Sequence, residues 1–172
     1  MAAPHPVPDD MKWQIASRLA SCLPVLYDIT FRDAVGEDYD LLEQQIWIYV
    51  GQEANSVVSS YHLPTGNAEE LARALDLVAT VFFGPEMRAE QVKITAERSV
   101  LVLKRCPFVT KGLEVQAPGE HLFQRCMAFA ITAVEAMNPD YTLRFVRSMC
   151  MGDGHCEMKV VRKDEVSKEE KK

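Results

Sequence analysis

Basic charge is in short supply in this chain. Lys and Arg number 19 against 25 Asp and Glu, a net charge of −6 at pH 7. A nucleic-acid binder would show a basic face, so nucleic-acid binding is not expected. The same acidity gives little attraction to anionic membrane surfaces. Long apolar runs are missing too. No stretch of about 18 apolar residues occurs, so no transmembrane helix is expected. Residues 1–10 hold three prolines and no apolar segment of the secretory kind, which reads as a disordered N-terminus rather than a leader. Also lacking are a Ser-His-Asp arrangement, a phosphate-binding glycine loop and a dinucleotide fingerprint. The expected home is the cytoplasm. There the five cysteines stay reduced, and clustered thiols favour metal binding or catalysis. Their odd number fits poorly with a pure disulfide framework.

What is present suits one soluble domain. The chain has 172 residues, 48% of them apolar and 26% charged. That length buries a real core, since chains of about 150 residues bury roughly 70% of their unfolded surface. The expected domain spans residues 11–162, followed by a charged tail over 163–172.

Periodicity sets the element order. Trp13, Ile15, Ala16, Leu19, Ala20 and Leu23 recur at helical steps, and Pro24 is expected to kink or end that helix. A second piece continues to about Val35. The next helix spans about Asp38 to Tyr61, with Gly51 arguing against an unbroken run. Asn67 and Glu70 form a capping box for a helix from Ala68 to Phe83. The period then shortens to two. Val92, Ile94 and Ala96, followed by Val100 to Leu103, give two strands over residues 90–106, ended by Cys106-Pro107. Lys111-Gly112 and Pro118-Gly119 mark a loop. A helix from about Glu120 to Met137 follows, then strands around Tyr141–Phe145 and Met158–Val161. The order predicts an α+β fold, helices packed on one face of an antiparallel sheet of about four strands. Trp13, Tyr27, Phe31, Trp47 and Tyr49 are expected to pack in the core.

The chemistry-bearing stretch is Met149-Cys150-Met151-Gly152-Asp153-Gly154-His155-Cys156. Its glycines make a tight turn easy, which brings Cys150 near Cys156. Cys106 at a strand end and Cys126 early in a helix can reach the same edge of a small two-layer fold. Three or four thiolates there would suit zinc or an iron–sulfur cluster. The spacing itself is no metal signature, and a simply packed thiol is the alternative at each position. Cys22 reads as a packing thiol. His121 is a further candidate ligand. Asp153 and His155 in the turn are candidates for moving protons.

Glu53-Ala54, Val102-Leu103-Lys104-Arg105-Cys106-Pro107, Cys126 and Gly152-Asp153-Gly154-His155-Cys156 resemble the L-2-amino-thiazoline-4-carboxylate hydrolase family. They are also similar to the related 4-vinyl reductase small-molecule-binding domain. The resemblance covers roughly residues 40–162 and implies an α+β fold with a cysteine-lined pocket. Carried over by position, Cys106, Cys126 and Cys156 would line it, and Cys150 matches the first cysteine of the vinyl-reductase-type ending. The leading expectation is therefore a cysteine-ligated metal protein resembling a hydrolase of small cyclic amidines or thiazolines. Cys106, Cys126 and Cys156 would hold the metal, with Cys150 or His121 as a fourth ligand. The rival is a non-enzymatic sensor or carrier of a small molecule, metal or cluster. A third reading is a structural or interaction protein with buried thiols. The expected partner is a small-molecule ligand or substrate, and a homodimer stays open.

Overall fold

A computed structural model describes residues 7–95 and 97–169 of the chain. Among them, six helices and four strands run α1 (Asp9–Val35), α2 (Tyr39–Ser60), α3 (Ala68–Phe83), β1 (Glu90–Thr95), β2 (Arg98–Leu103), α4 (Pro107–Glu114), α5 (Gly119–Met137), β3 (Tyr141–Arg147), β4 (Cys156–Arg162) and α6 (Lys163–Glu169). The strands form one antiparallel sheet in the order β1-β2-β4-β3. The fold is α+β, with helices packed against a four-stranded sheet. Residues 1–6 of the expected N-terminal tail, Ala96 of the expected strand and the last residues of the expected C-terminal tail lie outside the described residues.

The register decides what the sheet offers the helices. Leu103 pairs with Cys156, Leu101 with Met158, Phe145 with Met158 and Leu143 with Val160. Side chains two apart share a face, so these residues form one apolar surface. Helices α3 and α5 cover it, and α2 packs behind α5. Asn67 caps α3 as its sequence suggests, accepting a hydrogen bond from the Glu70 amide at 3.0 Å. Trp47 of α2, Phe83 of α3, Phe108 of α4 and Phe129 of α5 meet at ring distances of 5.1–6.5 Å and knit the four helices together.

Three local expectations are corrected. Pro24 does not end α1, which is unbroken across it. Contacts on both sides hold the helix. The Ser21 hydroxyl lies 2.8 Å from the Phe83 carbonyl oxygen, and Val25 is fully buried. Most of the loop expected around Lys111-Gly112 and Pro118-Gly119 is instead helix α4, Pro107–Glu114. Pro107 sits in its first turn, where a missing amide hydrogen costs nothing. Gly51 does not interrupt α2 but marks close packing. A Cβ there would lie 2.7 Å from the Phe129 carbonyl oxygen and 2.9 Å from Thr132 Cβ.

The face that α1 turns inward is polar. Its buried residues are Ser17, Ser21, Val25 and Asp28. Its apolar residues point away: Met11, Ile15, Leu19 and Ile29 are each 43–60% exposed. Of the five aromatics expected in the core, only Trp47 is buried. Trp13, Tyr27, Phe31 and Tyr49 are exposed.

The α2–α5 approach yields a stability prediction. Gly51→Ala forces backbone against a Cβ and should cost about 1–3 kcal/mol in urea unfolding, the usual range for overpacking. An unchanged unfolding midpoint would show that the two helices can separate freely.

Candidate functional site: a cysteine-lined apolar cavity

Four of the five cysteines gather. Cys106, Cys126, Cys150 and Cys156 all line one cavity of about 60 Å³ between the sheet and α3 and α5. Leu75, Leu101, Leu103, Phe129, Phe145 and Met158 supply much of the remaining wall. Each thiol arrives from a different element. Cys106 directly precedes α4, and Cys126 lies in α5. Cys150 lies in a 3₁₀ turn over Met149–Met151, and Cys156 opens β4.

The turn is held by its own backbone. Asp153 Oδ2 accepts from the Ser148 amide at 2.8 Å, and the Asp153 amide donates back to the Ser148 carbonyl at 3.1 Å. Gly152 takes φ 98°, which a side chain would strain. The Met149 amide points at Cys156 Sγ, 3.4 Å away. The Cys150 carbonyl rests directly on Gly119, so only glycine fits in that first turn of α5.

The thiols differ in acidity, each for a local reason. Cys126 and Cys150 are hydrogen-bonded to each other. Cys126 keeps its proton: it donates to Cys150, and burial adds to this, so its thiol lies well above the usual range. Cys150 is lowered to about 7, mainly by that donated bond, with help from Ser148, its own backbone amide and the Arg125 guanidinium. Burial pushes Cys106 up to about 12 and raises Cys156 too. One of the four is therefore poised as a thiolate near neutral pH.

Arg125 is the charge behind this site. It is 2% exposed, and its Nη2 lies 2.8 Å from Asp28 Oδ2 and 3.2 Å from Glu43 Oε1. Its Nε and Nη1 have no hydrogen-bond partner among the described residues. Asp28 also receives Arg32 Nε at 2.6 Å. Burial pushes the Glu43 carboxyl up, against the pull of Arg125. Sequence reasoning missed this cluster. An aspartate on the same helical face as Ser17, Ser21 and Val25 was its one local signal.

The other expected site residues lie elsewhere. His121 has its Nδ1 3.5 Å from Asp28 Oδ2 and does not line the cavity. Asp153 is exposed and engaged with the Ser148 amide. His155 is partly buried beside Cys156, outside the lining.

No protein-family model and no curated protein matches the chain. Among solved structures, the chain is similar to a trafficking protein particle complex subunit 3 from Naegleria fowleri covalently bound to palmitic acid. The TM-score is 0.60 at 15% identity, over 87% of this chain and 96% of that one. The two share a fold.

These findings overturn the expectation of a metal-binding hydrolase. Among the described residues, no group of three or more His, Cys, Asp or Glu could hold a metal ion. Of the expected ligand set, Cys106, Cys126, Cys150 and Cys156 share the cavity wall but His121 lies outside it, so the five do not come together. The fold is one shared with a trafficking-complex subunit, which points away from the expected hydrolase. Within the apolar wall three of the four thiols hold their protons, Cys126 through its bond to Cys150 and Cys106 and Cys156 through burial. Among the described residues, no helix is long and apolar enough to cross a membrane.

Cysteine reactivity tests this geometry. Iodoacetamide should label Cys150 with a pH midpoint of about 7 and leave Cys106 unlabelled until far higher pH. Cys126→Ala removes the donated bond and should move the Cys150 midpoint upward. Equal rates at Cys150 and Cys106 in the folded protein would contradict the arrangement.

Proposed function

We propose that this chain is a non-catalytic assembly subunit of the cytoplasm that pairs with a second copy of itself through the outer faces of α1 and α2. The observation that carries the proposal is the reversed polarity of α1. Ile15, Leu19, Cys22, Leu26 and Ile29 follow one another at steps of four and three. That 3.5-residue repeat is the pattern of a helix that packs along another helix. Ile15, Leu19 and Ile29 of this run are exposed, while Cys22 and Leu26 are partly buried at its inner margin, away from the buried Ser17, Ser21 and Asp28. Leu42, Ile46 and Tyr49 of α2, each 52–64% exposed, repeat the pattern at steps of four and three. Apolar surface left open on both helices supports an interaction site.

The choice of a second copy follows from the near-symmetry of the seam. Its residues lie at −7, −3, 0, +4 and +7 from Cys22. Reversed, the set differs by one residue at Leu19 and Leu26, so two antiparallel copies can bring like seams together in an isologous contact, the commonest kind. The likeness to a subunit of a multi-protein complex supports an assembly role. Five free cysteines and an acidic surface support the cytoplasm.

The small-molecule side of the proposal is narrower. The vinyl-reductase-type resemblance implies a pocket ligand, and the structural neighbour carries palmitic acid. The cavity of this chain is about 60 Å³. Its wall is apolar, so an apolar group is the occupant this cavity suits.

Light scattering after size exclusion, with the full chain in the micromolar range, should give a dimer mass. Leu19→Glu combined with Ile46→Glu should give a folded monomer, with folding checked by circular dichroism. A short bismaleimide should join two chains through Cys22. A monomeric wild-type protein that the reagent does not join would overturn the proposal.

A further inference from the structure

We propose that Cys126 and Cys150 form a reversible intramolecular disulfide, made by exchange with a low-molecular-weight disulfide of the glutathione class, which ties the 3₁₀ turn to α5. Both thiols line the one cavity, Cys126 from α5 and Cys150 from the turn, and each is the other's hydrogen-bonding neighbour there. The turn is held against α5 by the Cys150 carbonyl resting on Gly119. Ser148 and Asp153 lock the turn's own shape. Cys150 is partly exposed, and its neighbour Met151 is 57% exposed, so a small disulfide can approach from that side.

The other two sulfurs of the cavity are less available. Cys156 Sγ faces the Met149 amide, and Cys106 is 4% exposed. The cavity therefore holds one accessible attacking sulfur and one resolving sulfur hydrogen-bonded to it. A disulfide in a cytoplasmic protein is usually transient and redox-sensing, and the Cys126–Cys150 bond belongs to that class.

The exchange runs in two balanced displacements. The Cys150 thiolate attacks one sulfur of the glutathione disulfide. That S–S bond breaks, a new one forms to Cys150, and one glutathione leaves as thiolate. Cys126 then gives up its proton to a departing thiolate and attacks the Cys150 sulfur. The second glutathione leaves. Two protein thiols are oxidised to one disulfide, and one glutathione disulfide is reduced to two glutathione molecules. Excess glutathione reverses both steps. The inference is independent of the dimer, because neither sulfur belongs to the α1–α2 face.

The test uses the full chain, reduced and desalted, then incubated anaerobically with oxidised glutathione and quenched with iodoacetamide. Trypsin with a protease that cuts before aspartate separates Cys150 from Cys156, since Asp153 lies between them. The expected product lacks two hydrogens and joins the peptide beginning at Cys126 to the peptide Ser148–Gly152. In Cys126→Ser, the linked pair should be lost and a glutathione adduct should accumulate on Cys150. In Cys150→Ser, Cys126 should stay free over the same time. A wild-type protein that stops at the glutathione adduct, links Cys150 to Cys106 or Cys156, or does not react would overturn the proposal. The wild-type course decides the question even if a variant fails to fold.

Discussion

The ion pair between Asp28 and Arg125 joins positions 97 residues apart and decides which way α1 faces. Both side chains are buried, so neither charge can be left alone. Removing one partner of such a pair typically costs about 3–5 kcal/mol, because the other stays desolvated and uncompensated. Asp28 must therefore point inward, and Ser17, Ser21 and Val25 follow on the same helical face. The apolar residues of α1 then have only the outside. An interaction surface thus arises from a buried charge on the opposite side of the same helix.

The same arginine reaches the second feature of the molecule. Arg125 lies one residue before Cys126 and lines the cysteine cavity. Its charge favours the Cys150 thiolate in a wall that otherwise disfavours anions. Burial keeps Cys106 and Cys156 protonated, while the contact with Cys126 splits that pair into a proton holder and a thiolate. Four sulfurs in one place thus need not form a metal site. Their protonation is set one at a time by burial, neighbour and backbone.

Much of this was legible in the chain. Asn67 and Glu70 set the start of α3, the shift to a period of two marked the sheet, and Gly152 and Gly154 marked the turn that brings the last cysteines together. The gathering of Cys106, Cys126, Cys150 and Cys156 followed from reading strand ends and a helix start onto one edge. Their chemistry did not follow, because spacing along a chain carries no information about which thiol keeps its proton. The first helix misled for a related reason. Its apolar repeat is real, but periodicity locates a stripe without saying whether the stripe meets this core or another molecule. Asp28 among Ser17, Ser21 and Val25 held the answer, and only its pairing with Arg125 makes that visible. Pro107 misled as a strand stop, since a proline there serves equally well as the first residue of a helix.

If the Asp28–Arg125 contact holds α1 in its reversed orientation, the two side chains must be energetically coupled. A double-mutant cycle with Asp28→Ala, Arg125→Ala and both together, read by urea unfolding, measures that coupling. Each single change should be strongly destabilising, and the double variant should be much less destabilised than their sum, by at least about 1 kcal/mol. Effects that add to within about 0.5 kcal/mol would show two independent side chains, and the outward apolar seam would then need another cause.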